Sequence, residues 1–263
     1  MSGRGWRRRR PPGKHAFWRF NWLVHHKRIR ALERVRAHAR GELLDVGCGA
    51  RPFERLFRGH VTRYRGVDLP ASSELSDPPP DAFASAEQLP FRAGSFDTVL
   101  AMALMPYLPV PDRMLAETRR VLRPGGIALI EFQQMGPPWN PPHDYFRFTR
   151  YGAELLLRRN GLEPVQVIPV GGLMARVGLS TLAALNRLNR GPLRALTEIP
   201  VRLLYVAIQL LFEGLDQVFF DPDEVMGHLV VARRLESPVS EDPSAAASRG
   251  RLPARGGESP GAS

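Results

Sequence analysis

The stretch "LLDVGCGARPFERLF", residues 43–57, runs an apolar segment into Asp45 and then sets Gly47 and Gly49 on either side of Cys48. That spacing reads as a strand, a tight turn and a helix, the turn lacking side chains so that a ligand can approach its backbone. Asp68 stands 23 residues after Asp45, where a carboxylate at the end of the next strand can accept hydrogen bonds from ribose hydroxyls. A dinucleotide fingerprint requires a third glycine three residues after Gly49, and that position is Pro52. A Lys-Ser/Thr pair for a nucleoside triphosphate is missing as well. The loop is therefore shaped for an adenosine ligand without a phosphate. A second cluster, "PPHDYFRFT", sets His143, Asp144 and Tyr145 side by side, a histidine base next to a carboxylate.

The elements that must hold these residues follow from the hydrophobic pattern. Residues 20–40 read as a helix with Ile29, Leu32, Val35 or Arg36, and Ala39 on one face, ending at Gly41. Strands are expected at Leu43–Val46, 63–68, weakly at Ala82–Ser85, at 95–103, at 127–132 after a turn "RPGG", and at 163–170. Helices are expected at 112–122 and from an N-cap at Thr149 to Asn160-Gly161. This alternation argues for an α/β fold, a Rossmann-like doubly wound sheet. After Gly171 about 55 residues of apolar helical sequence intervene before "HLVVARR" (228–234), the expected seventh strand. The expected organisation is a basic disordered arm (1–19), one domain (20–235) with a helical insertion over about 172–226, and a disordered tail (236–263).

Four blocks in order, "LLDVGCG", "YRGVDL", "AEQLPFRAGSFDTVLA" and "ETRRVLRPGGIALIEF", resemble the signatures of class I S-adenosylmethionine-dependent methyltransferases, in the small-molecule branch known as type 11. The resemblance spans residues 43–170, and "HLVVARR" is similar to the closing strand of that family. It implies S-adenosylmethionine as cofactor. Asp45, Gly47, Cys48 and Gly49 would then surround the methionine part, Asp68 the ribose, and Ser85 and Ala86 the adenine edge. The chain departs from the family at Ser85, where an acid is usual, and at Tyr107, near which many relatives have a histidine. A block similar to "HDYFRFT" occurs in a subset of the family associated with glycan or lipid-linked saccharide pathways. The catalytic candidates are accordingly His143, Asp144 and Tyr145, with His143 as base for an oxygen acceptor. Glu131 on the fifth strand can line the pocket, and Arg147 can pin the proline-rich loop.

Charge and composition bound the partners. The net charge of +11 arises in residues 1–40, which carry 13 Lys or Arg against one acid, so the rest of the chain is at −1. An arm of this kind attracts an anionic membrane surface or nucleic acid. A body without net positive charge and without a recognisable RNA-binding module makes nucleic acid the weaker partner. One cysteine, Cys48, excludes an intrachain disulfide framework and a cysteine zinc site, so no metal is expected and a reducing, cytoplasmic setting fits. No secretory signal is read at the start.

Residues 201–220 are strongly apolar, yet Arg202, Tyr205, Gln209, Glu213 and Asp216 recur at steps of three and four as one polar stripe. Three charges argue against a membrane span. The segment is expected to cover the site, to support a homodimer, or to lie peripherally at a membrane. The leading expectation is a methyltransferase for a small-molecule or lipid-linked glycan acceptor. An RNA methyltransferase and a methyltransferase-like binding protein without catalysis are the alternatives.

Overall fold

A computed structural model describes residues 17–70, 79–189 and 194–236. Residues 1–16 of the expected arm (1–19), the turn at Gly191-Pro192 and nearly all of the expected tail lie outside the described residues.

Seven strands form one sheet: β1 (Glu42–Val46), β2 (Arg63–Asp68), β3 (Ala82–Phe83), β4 (Phe96–Ala101), β5 (Leu122–Gln133), β6 (Leu162–Val170) and β7 (Gly227–Arg234). Their order is β3-β2-β1-β4-β5-β7-β6. The first five pair in parallel, and β7 runs antiparallel to both β5 and β6. The strand order reverses between β1 and β4, which creates a crevice beyond their carboxyl ends. This is the expected doubly wound seven-stranded sheet.

Side chains alternate across the sheet, and each face builds its own core. Leu44, Val46, Val99, Ala101 and Ile130 face α2 (Pro111–Val121) and α3 (Arg150–Arg159). Leu43, Leu100, Ile127, Leu129 and Val231 face α1 (Trp22–Val35), which supplies Ala31, Leu32 and Val35. Thr149 caps α3, its hydroxyl accepting from Gly152 N at 3.1 Å, as its position before an apolar-periodic run implies.

Three local expectations need correction. Beyond the glycine loop there is no α-helix; only a short 3-10 turn, Glu54–Phe57, follows. Phe53 and Phe57 are buried there against α1 and β1, so burying both rings close to the loop replaces the extended helical face. The predicted helix 20–40 ends at Val35 and tightens into a 3-10 turn over Arg36–His38, which returns the chain to the sheet. The "RPGG" segment does not precede β5 but is part of it. Leu122 already pairs with Phe96, and the register then jumps to Thr98 opposite Ile127, so the glycines form a bulge with Gly125 at φ 71°.

The insertion consists of α4 (Leu173–Leu188) and α5 (Arg194–Val218), set between β6 and β7. Both helices stand at the edge of the sheet where β5 ends, because Val170 pairs with Gly227 and Gly227 with Gln133. From Tyr205 onward the polar stripe of α5 points into the protein, while Arg202 is exposed and pairs with Glu198 one turn earlier. Gln209 is fully buried, with Oε1 accepting from Leu23 N (3.1 Å) and Nε2 donating to Phe17 O (3.0 Å). Asp216 accepts from Gly172 N and Ala175 N at the start of α4 (3.0 and 2.9 Å) and pairs with Lys27 of α1 at 2.9 Å. Lys27 also reaches Glu213 at 2.8 Å. A capping carboxylate at a helix N-terminus satisfies donors that have no partner within the helix. Thus α1, α4 and α5 are locked into one cap by the charged and amide groups that the stripe provides.

Candidate active site

The glycine loop occupies the crevice at the strand-order reversal. Gly47 and Gly49 have φ 72° and 47°, left-handed values at which a side chain is strained. Gly47 N and Cys48 N both donate to Val67 O, at 2.9 and 3.1 Å, which fastens the loop to β2. Asp68, at the end of β2, accepts from Gly49 N at 2.6 Å and from Leu69 N at 2.7 Å. A carboxylate has about four acceptor positions, so lone pairs remain for two ribose hydroxyls.

Asp45 lies beneath this loop, buried, and accepts from Tyr64 OH at 2.5 Å. Burial pushes its carboxyl up to about 7, against the opposing pull of the tyrosine hydrogen bond. Cys48 is also buried, and desolvation holds its thiol above the ordinary range, so it packs rather than reacts. Arg51, with φ 54°, sends its guanidinium to Asp81 at 2.5 Å, and the same carboxylate accepts from Gly66 N at 2.8 Å. This clasp between the glycine loop and the segment after β2 went unread in the sequence, where Arg51 is one arginine among many. Ser85 is exposed, and its hydroxyl accepts from Glu87 N at 3.1 Å; Ala86 is buried. Where the resemblance leads one to expect an acid, this chain has a turn-capping hydroxyl.

The second cluster is tied to the first through the segment after β4. A side chain added at Gly47 would meet Leu104 at 3.3 Å, so Leu104 packs on the glycine loop. Two residues on, Pro106 O accepts from Tyr145 N at 2.8 Å, and Phe148 N donates to Gln133 O at 2.8 Å. These bonds seat "HDYFRFT" at the carboxyl end of β4 and β5. Within it the three catalytic candidates separate into two roles. Asp144 forms two hydrogen bonds with Arg147, one of them at 3.0 Å, and accepts from Trp139 N at 2.9 Å. The Arg147 hydrogen bond holds the Asp144 carboxyl below its usual range. His143 and Tyr145 are exposed and bond each other, Nδ1 to the phenol oxygen at 2.9 Å. Arg147 reaches Pro137 O at 3.2 Å, so it pins the proline-rich loop.

Glu131 of β5 is buried and accepts from Arg28 Nε and from Ala103 N. Ala103 has φ 53°, so this bond holds a left-handed turn immediately after β4. Tyr107 is half-buried, with its phenol pushed up chiefly by burial and also by the nearby carboxylates of Asp144 and Glu131. Arg28 was invisible in the sequence because it sits among the 13 basic residues that precede residue 41. Among the described residues no group of three or more His, Cys, Asp or Glu is placed to hold a metal.

Comparison with known proteins adds to this geometry. Residues 44–130 match the family described as a methyltransferase domain. Over 71 residues the chain is 40% identical to the ubiquinone/menaquinone biosynthesis C-methyltransferase UbiE of Bordetella avium, covering 27% of this chain and 28% of that protein. Over 146 residues it is 28% identical to the 27-O-demethylrifamycin SV methyltransferase of Amycolatopsis mediterranei, covering 46% and 54%. The chain thus spans from about a quarter to about half the length of these relatives. Among solved structures, the [4+2]-cyclase SpnF aligns with TM-score 0.50 and 21% identity over 80% of this chain and 81% of that one. Phosphoethanolamine N-methyltransferase 2 of Haemonchus contortus, in complex with S-adenosyl-L-methionine, aligns with TM-score 0.51 and 16% identity over 84% and 57%. These two likenesses are of fold. Sheet order and glycine loop are those of the Rossmann-like fold that these structures share, and residues 44–130 within that fold carry the match to the methyltransferase domain.

Proposed function

We propose that this protein transfers the methyl group of S-adenosylmethionine to a small-molecule acceptor, with a lipid-linked glycan as the finer reading of that acceptor. The observation that carries the proposal is the Asp68 carboxylate closing on Gly49 N at 2.6 Å, directly at the strand-order reversal. The residues there fit the cofactor: two left-handed glycines expose backbone, Asp68 keeps free lone pairs, and no third glycine or lysine serves a phosphate. Asp45, Gly47, Cys48 and Gly49 would hold the methionine part, Asp68 the ribose, and Ser85 and Ala86 the adenine edge.

When bound, S-adenosylmethionine supplies an electrophilic methyl on a good leaving group. The protein's part is to orient the acceptor and exclude water. Tyr107, Glu131 and the His143–Tyr145 pair lie on the elements beyond β4 and β5 that would face the acceptor. For a hydroxyl acceptor His143 takes the proton, with Tyr145 OH positioning its ring through Nδ1. Asp144 and Arg147 hold the segment in place.

A second reading is a methyltransferase-like binding protein without catalysis, favoured by Ser85 and Tyr107 at positions where the family usually has an acid and a histidine. Incubating the protein with methyl-labelled S-adenosylmethionine and lipid and aqueous extracts separates the two. Labelled product supports transfer; cofactor binding without labelled product in either extract supports the second reading.

A further inference from the structure

The outward side of α5 is apolar along its length. Ile199, Leu203, Ala207, Leu210, Gly214 and Val218 follow one another at steps of three and four, and each is exposed. Ile199 is 73% exposed, Leu203 66%, Leu210 53% and Val218 74%. In a surface helix of a soluble domain the apolar stripe ordinarily faces the core and the polar stripe faces water. Here the orientation is inverted: Gln209, Glu213 and Asp216 are engaged inward by Leu23, Lys27 and the start of α4. Contiguous exposed apolar surface of this kind marks an interaction site.

We propose that α5 lies on an anionic lipid surface, with its outer ridge buried in the headgroup boundary. The charge of the chain that leads into the cap selects this occupant. Phe17, the first described residue, is held to the inward side of α5, its carbonyl accepting from Gln209 Nε2. That preceding segment, residues 1–16, contains six Arg or Lys and no acid. An exposed apolar ridge and a polybasic segment in one chain combine the two attractions by which proteins bind anionic membranes. Trp18, 51% exposed, sits next to Phe17, a residue type suited to the interface. Among the described residues no helix is long and apolar enough to cross a membrane, so α5 lies on the surface and does not span it. The cap stands at the edge of the sheet that bears the glycine loop, so docking would bring the acceptor side toward the lipid. This inference rests on the orientation of α5 and the charge of residues 1–16, not on methyl transfer.

The test is sedimentation of the full chain with phosphatidylcholine vesicles, with and without phosphatidylglycerol, at rising salt. The wild type should sediment with the anionic vesicles, and binding should weaken as salt rises. Leu203→Gln together with Leu210→Gln should reduce binding about tenfold or more while the melting temperature stays unchanged, because both side chains are already exposed. Replacing Arg7, Arg8, Arg9 and Arg10 by Gln should remove most of the salt dependence. Ile199→Gln with Val218→Gln, at the two ends of the ridge, gives an independent pair should the first disturb folding. Vesicle binding unchanged by both pairs would overturn the proposal. So would a wild type that ignores vesicles and instead forms a dimer that the Leu203→Gln/Leu210→Gln pair dissociates, which would assign the ridge to a second copy of the chain.

Discussion

Arg28 of α1 lays its Nε between the two carboxylate oxygens of Glu131 on β5, at 2.8 and 2.9 Å. One of those oxygens also accepts from Ala103 N at 2.9 Å, so a single buried carboxylate joins the first helix, the central sheet and the turn after β4. The residues just after that turn make two further ties, since Leu104 packs on Gly47 and Pro106 O accepts from Tyr145 N.

Removing that carboxylate should be costly. Glu131→Ala leaves the Arg28 charge without its partner in a largely dry site and strips the strained Ala103 turn of its bond, for a loss of about 3 kcal/mol. Ala103→Gly, by contrast, relieves the left-handed strain and should be neutral or mildly stabilising. Urea unfolding of the two variants checks the assignment, and an unchanged midpoint for Glu131→Ala would refute it.

Asp45 predicts a pH dependence of definite sign. Burial raises its folded value to about 7 from 3.8, so the folded protein retains this proton where the unfolded chain has lost it. The stabilisation this gives is fully present below about 4 and is lost as pH rises through about 7. A cationic amino group placed beside Asp45 favours the ionised form, so cofactor affinity should increase from pH 6 to pH 8, by up to about tenfold. Asp45→Asn should flatten that dependence and raise the melting temperature of the cofactor-free protein at pH 8. Calorimetric titration across this range, paired with thermal melts, measures both; a pH profile of Asp45→Asn that parallels wild type would rule the residue out.

The members of "HDYFRFT" should divide by role. For an oxygen acceptor, His143→Ala should reduce turnover by roughly 100-fold and leave cofactor affinity and melting temperature near wild type. Asp144→Asn should lower the melting temperature, since the carboxylate is bonded to Arg147 and Trp139 N. Because the Asp144 carboxyl is held low, its contribution is present above the ordinary carboxylate range and is lost as pH falls through the lowered value. Steady-state kinetics and melts on both variants decide the division; wild-type turnover in His143→Ala would exclude it as base.

The sheet was legible because its strands are short, apolar and buried on both faces, as with Leu43–Val46 and Phe96–Ala101, and because glycine and proline punctuate them. The glycine loop and Asp68 were legible from type and spacing alone. What was hidden depends on partners distant in sequence. Arg28 acquires meaning only 103 positions later, at Glu131. The polar stripe of α5 reads identically whether it faces water or protein, and partners far off in the sequence, among them Lys27 and Leu23, decide the matter. The missing helix after Gly49 has the same origin: Phe53 and Phe57 pack against α1 and β1, and that burial overrides the local pattern.

Calorimetric titration of the full chain with S-adenosylhomocysteine, S-adenosylmethionine and NAD, on the wild type and Asp68→Ala, tests the central claim most directly. Both adenosyl ligands should bind, NAD should not, and Asp68→Ala should weaken the adenosyl ligands by on the order of 1–3 kcal/mol through the lost ribose bonds. Tight binding of NAD, or an Asp68→Ala variant with wild-type affinity for S-adenosylhomocysteine, would contradict it.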